Sequence, residues 1–217
     1  MVFERFPSLT RFSQGWSISE KIDGTNAQIF IYPSMDYNGK NFSSRCIASV
    51  DGLNVFTGSR SRLITPDADN HGFARWARDN SEMLVRTLGE GRHYGEWWGQ
   101  GIQRGYGLQE KRFSLFNTLR WKQKDLPEGL YVVPCLIDNE YLDNPGQTAI
   151  EVLEVLKQTG SWANRGFMNP EGIVMFHRAS GVAFKKTFDY DEYGKWMENQ
   201  QKKFDGQTFN QIGEKNG

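Results

Sequence analysis

The sequence of 217 residues contains little cysteine, little histidine and no excess of charge of either sign. Its only cysteines, Cys46 and Cys135, each lie beside apolar residues, which is typical of a reduced cytosolic protein and not of a disulfide scaffold or a zinc cage. The histidines, His71, His93 and His177, are scattered without the spacing of metal ligands. A histidine or cysteine metal centre is therefore not expected.

The chain also lacks a global basic field, because 26 basic residues are balanced by 26 acidic ones. A nucleic acid would have to be held by a local patch. The first residues, MVFERFPSLTRF, contain no continuous apolar stretch, so we expect neither a signal peptide nor a membrane span. We expect a soluble monomer in the cytoplasm, or in the host cytoplasm if the protein is encoded by a phage.

Two common nucleotide-binding motifs are absent. No GxxxxGK[ST] sequence occurs, and the glycine-rich residues 99–105 have the wrong spacing for a dinucleotide fingerprint and no βαβ unit after them. Binding of ATP would therefore depend on a different kind of motif.

The chain is rich in predicted strands. Trp16–Tyr32 alternates polar and apolar residues and is interrupted at Asp23-Gly24, which predicts strand, tight turn and strand. Further β-branched and aromatic stretches predict strands at Arg45–Val50, Arg92–Trp98, Phe113–Phe116, Leu130–Ile137, Gly172–His177 and Val182–Lys186.

Helices are predicted at three places. The first is Phe73–Leu88, and the second begins with a capping box of Thr148 and Glu151 and ends before Gly160. An amphipathic helical tail is predicted from about residue 189. The pattern indicates a single α+β domain over residues 1–217, without repeats or long linkers.

The segment that carries chemistry is residues 20–26, EKIDGTN. It places Lys21 between two carboxylates at the predicted strand, turn and strand. Taken alone, this pattern also fits an exposed hairpin lysine followed by a turn-forming Asp-Gly pair.

Further segments follow in an order that resembles the covalent nucleotidyltransferases, which include ATP-dependent DNA ligases, RNA ligases and mRNA capping enzymes. Lys21–Gly24 resembles motif I, Ser59-Arg60 the arginine element that follows it, and Tyr94–Trp97 motif III. Phe113–Phe116 resembles the aromatic strand, Glu171–Val174 motif IV and Ala183–Lys186 motif V. The resemblance implies an antiparallel-sheet nucleotidyltransferase fold, the ATP-grasp-like adenylation domain of ligases, with a nucleotide held between sheets.

Within this superfamily, residues 95–103 (GEWWGQGIQ) and Asn26 resemble phage nick-sealing RNA ligases of the RNA ligase 2 type. The resemblance implies that a lysine–AMP intermediate forms from ATP, that AMP passes to the 5′-phosphate of an RNA end, and that a 3′-hydroxyl seals the joint. Nicked duplex RNA is one possible substrate. A DNA ligase, a GTP-using capping enzyme and a noncatalytic nucleotide- or RNA-binding relative are the alternatives.

The resemblance assigns the catalytic lysines and the metal ligands. Lys21 is the nucleophile, which attacks phosphorus only as the neutral amine, and nearby positive charge from Lys185, Lys186 or a divalent ion favours that form. Magnesium, or manganese in its place, is expected at Glu171, with Glu96 as the second candidate. Glu96 is alternatively expected to hold the ribose hydroxyls.

The remaining ATP contacts are assigned in the same way. Glu20 is expected to read the adenine edge, Phe116 to stack on the adenine ring, and Arg60 to contact phosphate or ribose. Lys185 is expected at the α-phosphate. Ile22 and Asn26 complete the predicted ATP site, while core packing is the alternative for Phe113 and Phe116.

The polynucleotide is expected at a basic and aromatic segment comprising Arg104, Tyr106, Lys111, Arg112, Arg120, Trp121, Lys122 and Lys124, for which a solvated loop is the alternative.

Two features depart from the related ligases. Lys185 and Lys186 are adjacent and would point to opposite faces of a strand, which favours Lys185. About thirty residues follow motif V, too few for an OB-fold, so a catalytic domain without a C-terminal OB-fold is expected.

Overall fold

A computed structural model of the chain describes Leu9, residues 15–33 and residues 45–188. The helical tail predicted from residue 189 lies outside the described residues. The described part consists of two β-sheets and three helices. The predicted α+β class dominated by antiparallel strands is confirmed.

The smaller sheet has four antiparallel strands in the order β11-β10-β1-β9. Their bounds are β1 Trp16–Lys21, β9 Cys135–Glu140, β10 Gly172–His177 and β11 Val182–Thr187. Helix α3, Pro145–Thr159, covers one face of this sheet through Ala149, Leu153 and Leu156. The opposite face is left open toward the second sheet.

The larger sheet has the order β3-β4-β2-β6-β7-β8, with β5 paired to β4. Only β7 and β8 are parallel neighbours. The strands are β2 Thr25–Pro33, β3 Ala48–Val50, β4 Leu53–Gly58, β5 Leu63–Ile64, β6 Gly91–Gly99, β7 Lys111–Leu115 and β8 Leu130–Val132.

Alternation along β2 divides this sheet into two faces. Ala27, Ile29 and Ile31 are buried in the main core, which also includes residues of helices α1, Phe73–Asp79, and α2, Ser81–Leu88. Asn26, Gln28, Phe30 and Tyr32 are only partly buried and lie on the opposite face. A helical layer therefore backs each sheet, and both sheets retain a face for ligands.

The predicted helix Phe73–Leu88 is two helices, because the chain breaks at Asn80. The Asn80 side-chain amide donates to the carbonyl of Trp76 at 2.8 Å, and this local bond competes with continuation of the helix. The predicted start of the next helix was also wrong. Asn144, not Thr148, accepts the capping hydrogen bond, and Pro145 occupies the first turn, where its missing N–H costs nothing.

Strand bounds differ where turn residues intervene. Leu130–Ile137 splits into β8 and β9 around Val133-Pro134, since proline cannot donate to a ladder. Of the strand predicted at Arg45–Val50, only β3 forms, and β4, which pairs with β3 as a hairpin, was not predicted. Asp51-Gly52, with φ of 49° and 78°, forms the turn between them, an Asp-Gly signal that the sequence does contain. No helix among the described residues is long and apolar enough to cross a membrane.

The contact between β6 and β7 leaves no space for a side chain at Gly95. A Cβ there would lie 2.4 Å from the carbonyl oxygen of Ser114 and 2.5 Å from the Phe113 ring. We expect Gly95→Ala to lower the free energy of unfolding by about 1–3 kcal/mol, measured by urea denaturation. Gly146→Ala in α3, whose added carbon would lie 3.7 Å from Asn144 Oδ1, is the matched control and should unfold no more easily than wild type. Equal losses from both substitutions would contradict this packing.

Candidate active site

A cleft of about 760 Å³ lies between the open faces of the two sheets. Its walls come from β1, β10 and β11 on one side and from β2, β6 and β7 on the other. The loop after β7 closes one end of the cleft with Phe116 and Leu119, which are 43% and 40% exposed. The volume is in the range of small-molecule and nucleotide pockets.

Lys21 lies at the end of β1 on the cleft side. Ser17, Ser19 and Lys21 line the cleft, whereas the intervening Ile18 packs against α3. The Nζ atom of Lys21 lies 2.6 Å from Oε2 of Glu171, and both side chains are largely buried. This ion pair joins the predicted nucleophile to the predicted metal ligand.

Glu171 reaches Lys21 because Gly172 follows it. Gly172 pairs with Lys21 in the β1–β10 ladder, and its φ of 154° is in the region that favours glycine. A Cβ at this position would lie 2.2 Å from the carbonyl oxygen of Lys186. The close approach of β11 therefore requires glycine directly after Glu171 in motif IV.

Glu96 and Asn26 face each other on β6 and β2. Asn26 Nδ2 donates to Glu96 Oε2 at 3.0 Å, and the Gly24 backbone N–H donates to the same carboxylate. A Cβ on Gly24 would lie 2.6 Å from the carbonyl oxygen of Trp97, so the turn needs glycine to approach β6. Asn26, Gly24 and Glu96 thus form one hydrogen-bonded unit beside Lys21.

Burial raises the pKa of Glu96 to about 7. The Asn26 hydrogen bond and the positive charge of Lys21 act against this increase, while the negative charge of Glu171 adds to it. Two carboxylates therefore lie within electrostatic range of one lysine. A cation brought to this part of the cleft would relieve their mutual repulsion.

These carboxylates do not make a complete metal site by themselves. Among the described residues, no group of three or more His, Cys, Asp or Glu side chains is arranged to hold a metal ion. Magnesium and manganese can be bound through one or two carboxylates when phosphate oxygens and waters supply the other ligands. Glu171 and Glu96 fit a metal that arrives with a phosphate-bearing substrate.

The Glu20 carboxylate does not point into the cleft. It is buried on the opposite face of β1, where it accepts hydrogen bonds from Ser161 Oγ at 2.6 Å and from the backbone N–H groups of Trp162 and Ala163 at 2.7 and 2.9 Å. Burial raises its pKa, and these hydrogen bonds lower it. Glu20 still lines the cleft, and the expectation that it reads the adenine edge stays a prediction, which the buried carboxylate leaves to the Glu20 backbone.

The two phenylalanines of the aromatic strand have different environments. Phe113 is fully buried in the main core, whereas Phe116 follows β7 and lines the cleft. The geometry thus favours Phe116 as the ring available to a base. Ile22 touches the cleft but is buried in a small cluster with Trp98 and Tyr106.

Alternation also separates the lysines of β11. Lys185 pairs with Val174 and lines the cleft, whereas Lys186 pairs with Ile173, whose side chain packs against α3. The predicted catalytic role of Lys186 therefore does not fit its side of the sheet. Arg60 lies in an adjoining hollow rather than in the cleft wall.

Arg104 and Tyr106 have a role that the sequence pattern missed. Arg104 Nε lies 3.0 Å from Asp23 Oδ2, and the Asp23 backbone N–H donates to the Tyr106 hydroxyl at 2.9 Å. Tyr106 is fully buried, and burial raises the pKa of its phenol. These contacts fix the turn after Lys21, and neither spacing nor composition signals a pairing over more than 80 residues.

The predicted polynucleotide patch is not a free basic surface. Arg104 is paired with Asp23, and the Tyr106 ring is buried. The remaining cations that make short contacts are Arg112 with Glu110, Lys122 with Asp138, Lys111 with the His71 carbonyl and Arg120 with the Leu88 carbonyl. Lys111, Arg120 and Lys124 nevertheless remain exposed, so RNA binding at this segment stays a prediction, with Arg104 and Tyr106 assigned instead to the turn after Lys21.

The raised pKa of Glu96 predicts a pH-dependent loss of stability. Between about pH 4.5 and 7 the unfolded chain releases this proton while the folded chain keeps it, so the free energy of unfolding falls as the pH rises. We expect Glu96→Gln to reduce the fall between pH 5 and pH 8 by on the order of 2–3 kcal/mol, measured by urea unfolding across that range. Glu20 titrates in both proteins, so their difference isolates Glu96. Parallel stability curves would contradict the assignment.

Comparison with solved structures finds the same fold in Naegleria gruberi RNA ligase. A variant of that protein with ATP and manganese is 17% identical, and the similarity covers 87% of this chain and 52% of that chain with a TM-score of 0.54. The same ligase with pyrophosphate is 16% identical over 86% of this chain and 52% of that chain, with a TM-score of 0.52. This chain thus spans about half the length of the ligases that it matches.

Searching curated protein sequences gives no match. The sequence model of the RNA ligase family, however, matches residues 14–187, which include both sheets and every lysine of the cleft. That match covers most of the chain. The chain belongs to the RNA ligase family.

Proposed function

We propose that this protein is an ATP-dependent RNA ligase that carries AMP on Lys21. The observation that carries the proposal is the position of Lys21 in the cleft, with Glu171 at 2.6 Å and the Glu96–Asn26 pair beside it. A lysine between carboxylates is suited to attack a phosphate that brings its own cation.

Solved relatives support the choice of substrate and ion. Naegleria gruberi RNA ligase has been solved with ATP and manganese, with AMP and manganese, and with pyrophosphate. We assign ATP, and magnesium or manganese, to this chain by that similarity and by the fit of its carboxylates. When bound, the divalent ion would neutralise phosphate charge at Glu171 and Glu96.

The first step forms a bond from Lys21 Nζ to the α-phosphorus of ATP and breaks the bond from that phosphorus to the bridging oxygen, so that pyrophosphate leaves with the electron pair. The ammonium of Lys21 first gives one proton to Glu171 Oε2, 2.6 Å from Nζ, and the neutral amine then attacks. The second proton leaves Nζ for solvent as the N–P bond forms. Lys185 is on the cleft side of β11, where its positive charge would stabilise the negative charge on the α-phosphate oxygens during the attack.

Two further steps complete the reaction. An oxygen of an RNA 5′-phosphate attacks the AMP phosphorus, and Lys21 regains its electron pair and a proton as the N–P bond breaks. A 3′-hydroxyl then attacks the activated 5′-phosphorus, a phosphodiester forms, and AMP leaves while the hydroxyl proton is released. Throughout, the Asp23–Arg104 pair and the Tyr106 hydroxyl would hold the turn that positions Lys21.

Covalent labelling tests the first step. We expect the protein to take up label from α-labelled ATP with magnesium or manganese, and Lys21→Ala to take up none, because no other amine replaces the attacking Nζ. The measurement is the mass gain of AMP on the intact chain. ATP binding without an adduct would instead identify a noncatalytic relative, and labelling by GTP alone would identify a capping-type enzyme.

The two lysines of β11 provide a matched pair. We expect Lys185→Ala to slow labelling by about 10²- to 10³-fold, the typical cost of removing one charge-stabilising contact. Lys186→Ala should slow it far less, because that side chain lies on the other face of the sheet. Initial rates of labelling at saturating ATP measure both. Equal effects of the two substitutions would contradict the assignment of Lys185.

The substrate of the later steps is assigned by end joining. We expect sealing of RNA with 5′-phosphate and 3′-hydroxyl ends, and the preference between nicked duplexes and single strands is read by comparing both with matched DNA ends. Faster sealing of DNA than of RNA would identify a DNA ligase instead. An RNA ligase and a DNA ligase would both be labelled on Lys21, so the end-joining assay reports only which polynucleotide accepts the AMP.

A further inference from the structure

A second hollow, of about 380 Å³, adjoins the cleft on the same face of the larger sheet. We call it the arginine hollow. Its main lining residues are Phe30, Tyr32, Phe56, Arg60, Arg62 and Arg92. Arg92 belongs to the walls of both the hollow and the cleft, so the two spaces are neighbours.

The arginine hollow is strongly one-sided in charge. Three of its lining residues are arginines and none is Asp or Glu, although the chain as a whole is neutral. All three arginines are exposed, and within the described part of the chain no carboxylate forms an ion pair with Arg60, Arg62 or Arg92. An anionic ligand is therefore favoured here, in contrast to the cations of residues 104–124.

The floor of the arginine hollow is aromatic. Phe30 pairs with Phe56 on one side and with Arg92 on the other, and the Arg92 guanidinium lies 4.5 Å from the centre of the Phe30 ring. Gly58 leaves this ring open, since a Cβ there would lie 3.1 Å from it. The Arg92 guanidinium thus covers the Phe30 ring, and both groups line the hollow together with Tyr32.

The Phe30 ring under the Arg92 guanidinium, next to the positive charges of Arg60 and Arg62, suits one class of ligand. Bases stack on aromatic rings and on guanidinium planes, while arginines bind the phosphates of the same strand. Along β2, Phe30 is four residues from Asn26, about 13 Å at the usual strand rise. That distance corresponds to roughly four stacked nucleotides at 3.4 Å per step.

We propose that the arginine hollow binds one nucleotide of the RNA strand about four nucleotides from the joint, with its base against Phe30 and the Arg92 guanidinium and its phosphate at Arg60 and Arg62. This inference rests on the proposed ligase function and adds a place for the polynucleotide outside the ATP cleft. Tyr32 supplies the second ring against which the base packs.

Binding of a labelled single-stranded RNA of twelve nucleotides to the full chain tests the proposal by fluorescence anisotropy. We expect Arg62→Ala and Tyr32→Leu each to weaken binding by about tenfold. Arg62→Ala should also lower the slope of log affinity against log salt by about 0.7, the value for one lost contact to single-strand phosphate. Arg62→Lys should retain most of that slope, because it keeps the charge.

Arg86→Ala is the matched control. Arg86 is a 68% exposed arginine on α2, in the helical layer on the other face of the same sheet, so its loss should leave RNA affinity and salt slope unchanged. Pyrophosphate at saturation should leave the RNA bound. Complete displacement by pyrophosphate would show a site for free phosphate and overturn the proposal.

Lys21 labelling by ATP separates failure of this inference from failure of the proposed function. We expect Arg62→Ala to be labelled like wild type, which also confirms folding. Wild-type RNA affinity in Arg62→Ala and Tyr32→Leu overturns the hollow as an RNA site while labelling still stands. Loss of labelling together with RNA binding in Arg62→Ala places Arg62 in the ATP site and overturns the proposal as well. An unlabelled wild type defeats the ligase function itself.

Discussion

The alternation of side chains along β1 is the constraint on which the rest of the site depends. It sends Lys21 to the cleft and Glu20 to the opposite face, where the Glu20 carboxylate secures the turn of Ser161, Trp162 and Ala163. One strand thus carries the predicted nucleophile on one side and a buried carboxylate on the other. A shift of register by one residue would exchange these two roles and destroy both.

Close backbone contacts give this arrangement its precision. Glycines at positions 24, 95 and 172 lie where an added Cβ would come within 3 Å of another strand's backbone. Two of these contacts lie at predicted site residues: Gly24 packs beside Glu96, and Gly172 follows Glu171. The short motifs around Lys21 and Glu171 therefore encode packing as well as chemistry.

The sequence was sufficient to predict the strand-rich architecture, and the resemblance of its motifs led to Lys21, Glu96, Glu171, Lys185 and Phe116, which the fold brings to one cleft while their roles toward ATP stay predictions. These depend on local alternation and on the order of motifs, both of which are readable in one dimension. The break at Asn80 and the cap at Asn144 depend on single side-chain hydrogen bonds that compete with a helical pattern. Such competition is decided in three dimensions.

Charges were harder to predict than apolar contacts, because a cation's partner can be remote in sequence. Arg104 pairs with Asp23 across more than 80 residues, and Lys122, which lies outside the strands, pairs with Asp138 in β9. Glu20 and Lys21 show the same difficulty within one dipeptide, since charge alone does not tell which face of the sheet a residue takes. A cluster of basic residues in the sequence is therefore most available to a ligand where the fold gives those residues no acidic partner.

Arg92 has a consequence for how the two spaces communicate. Its guanidinium lies over Phe30, hydrogen-bonds to the Tyr94 hydroxyl at 3.3 Å and belongs to the walls of both the cleft and the arginine hollow. Because both spaces share this side chain, a ligand bound in one space can change the affinity of the other space for its own ligand. By thermodynamic reciprocity, whatever factor RNA imposes on the binding of ATP, ATP must impose on the binding of RNA.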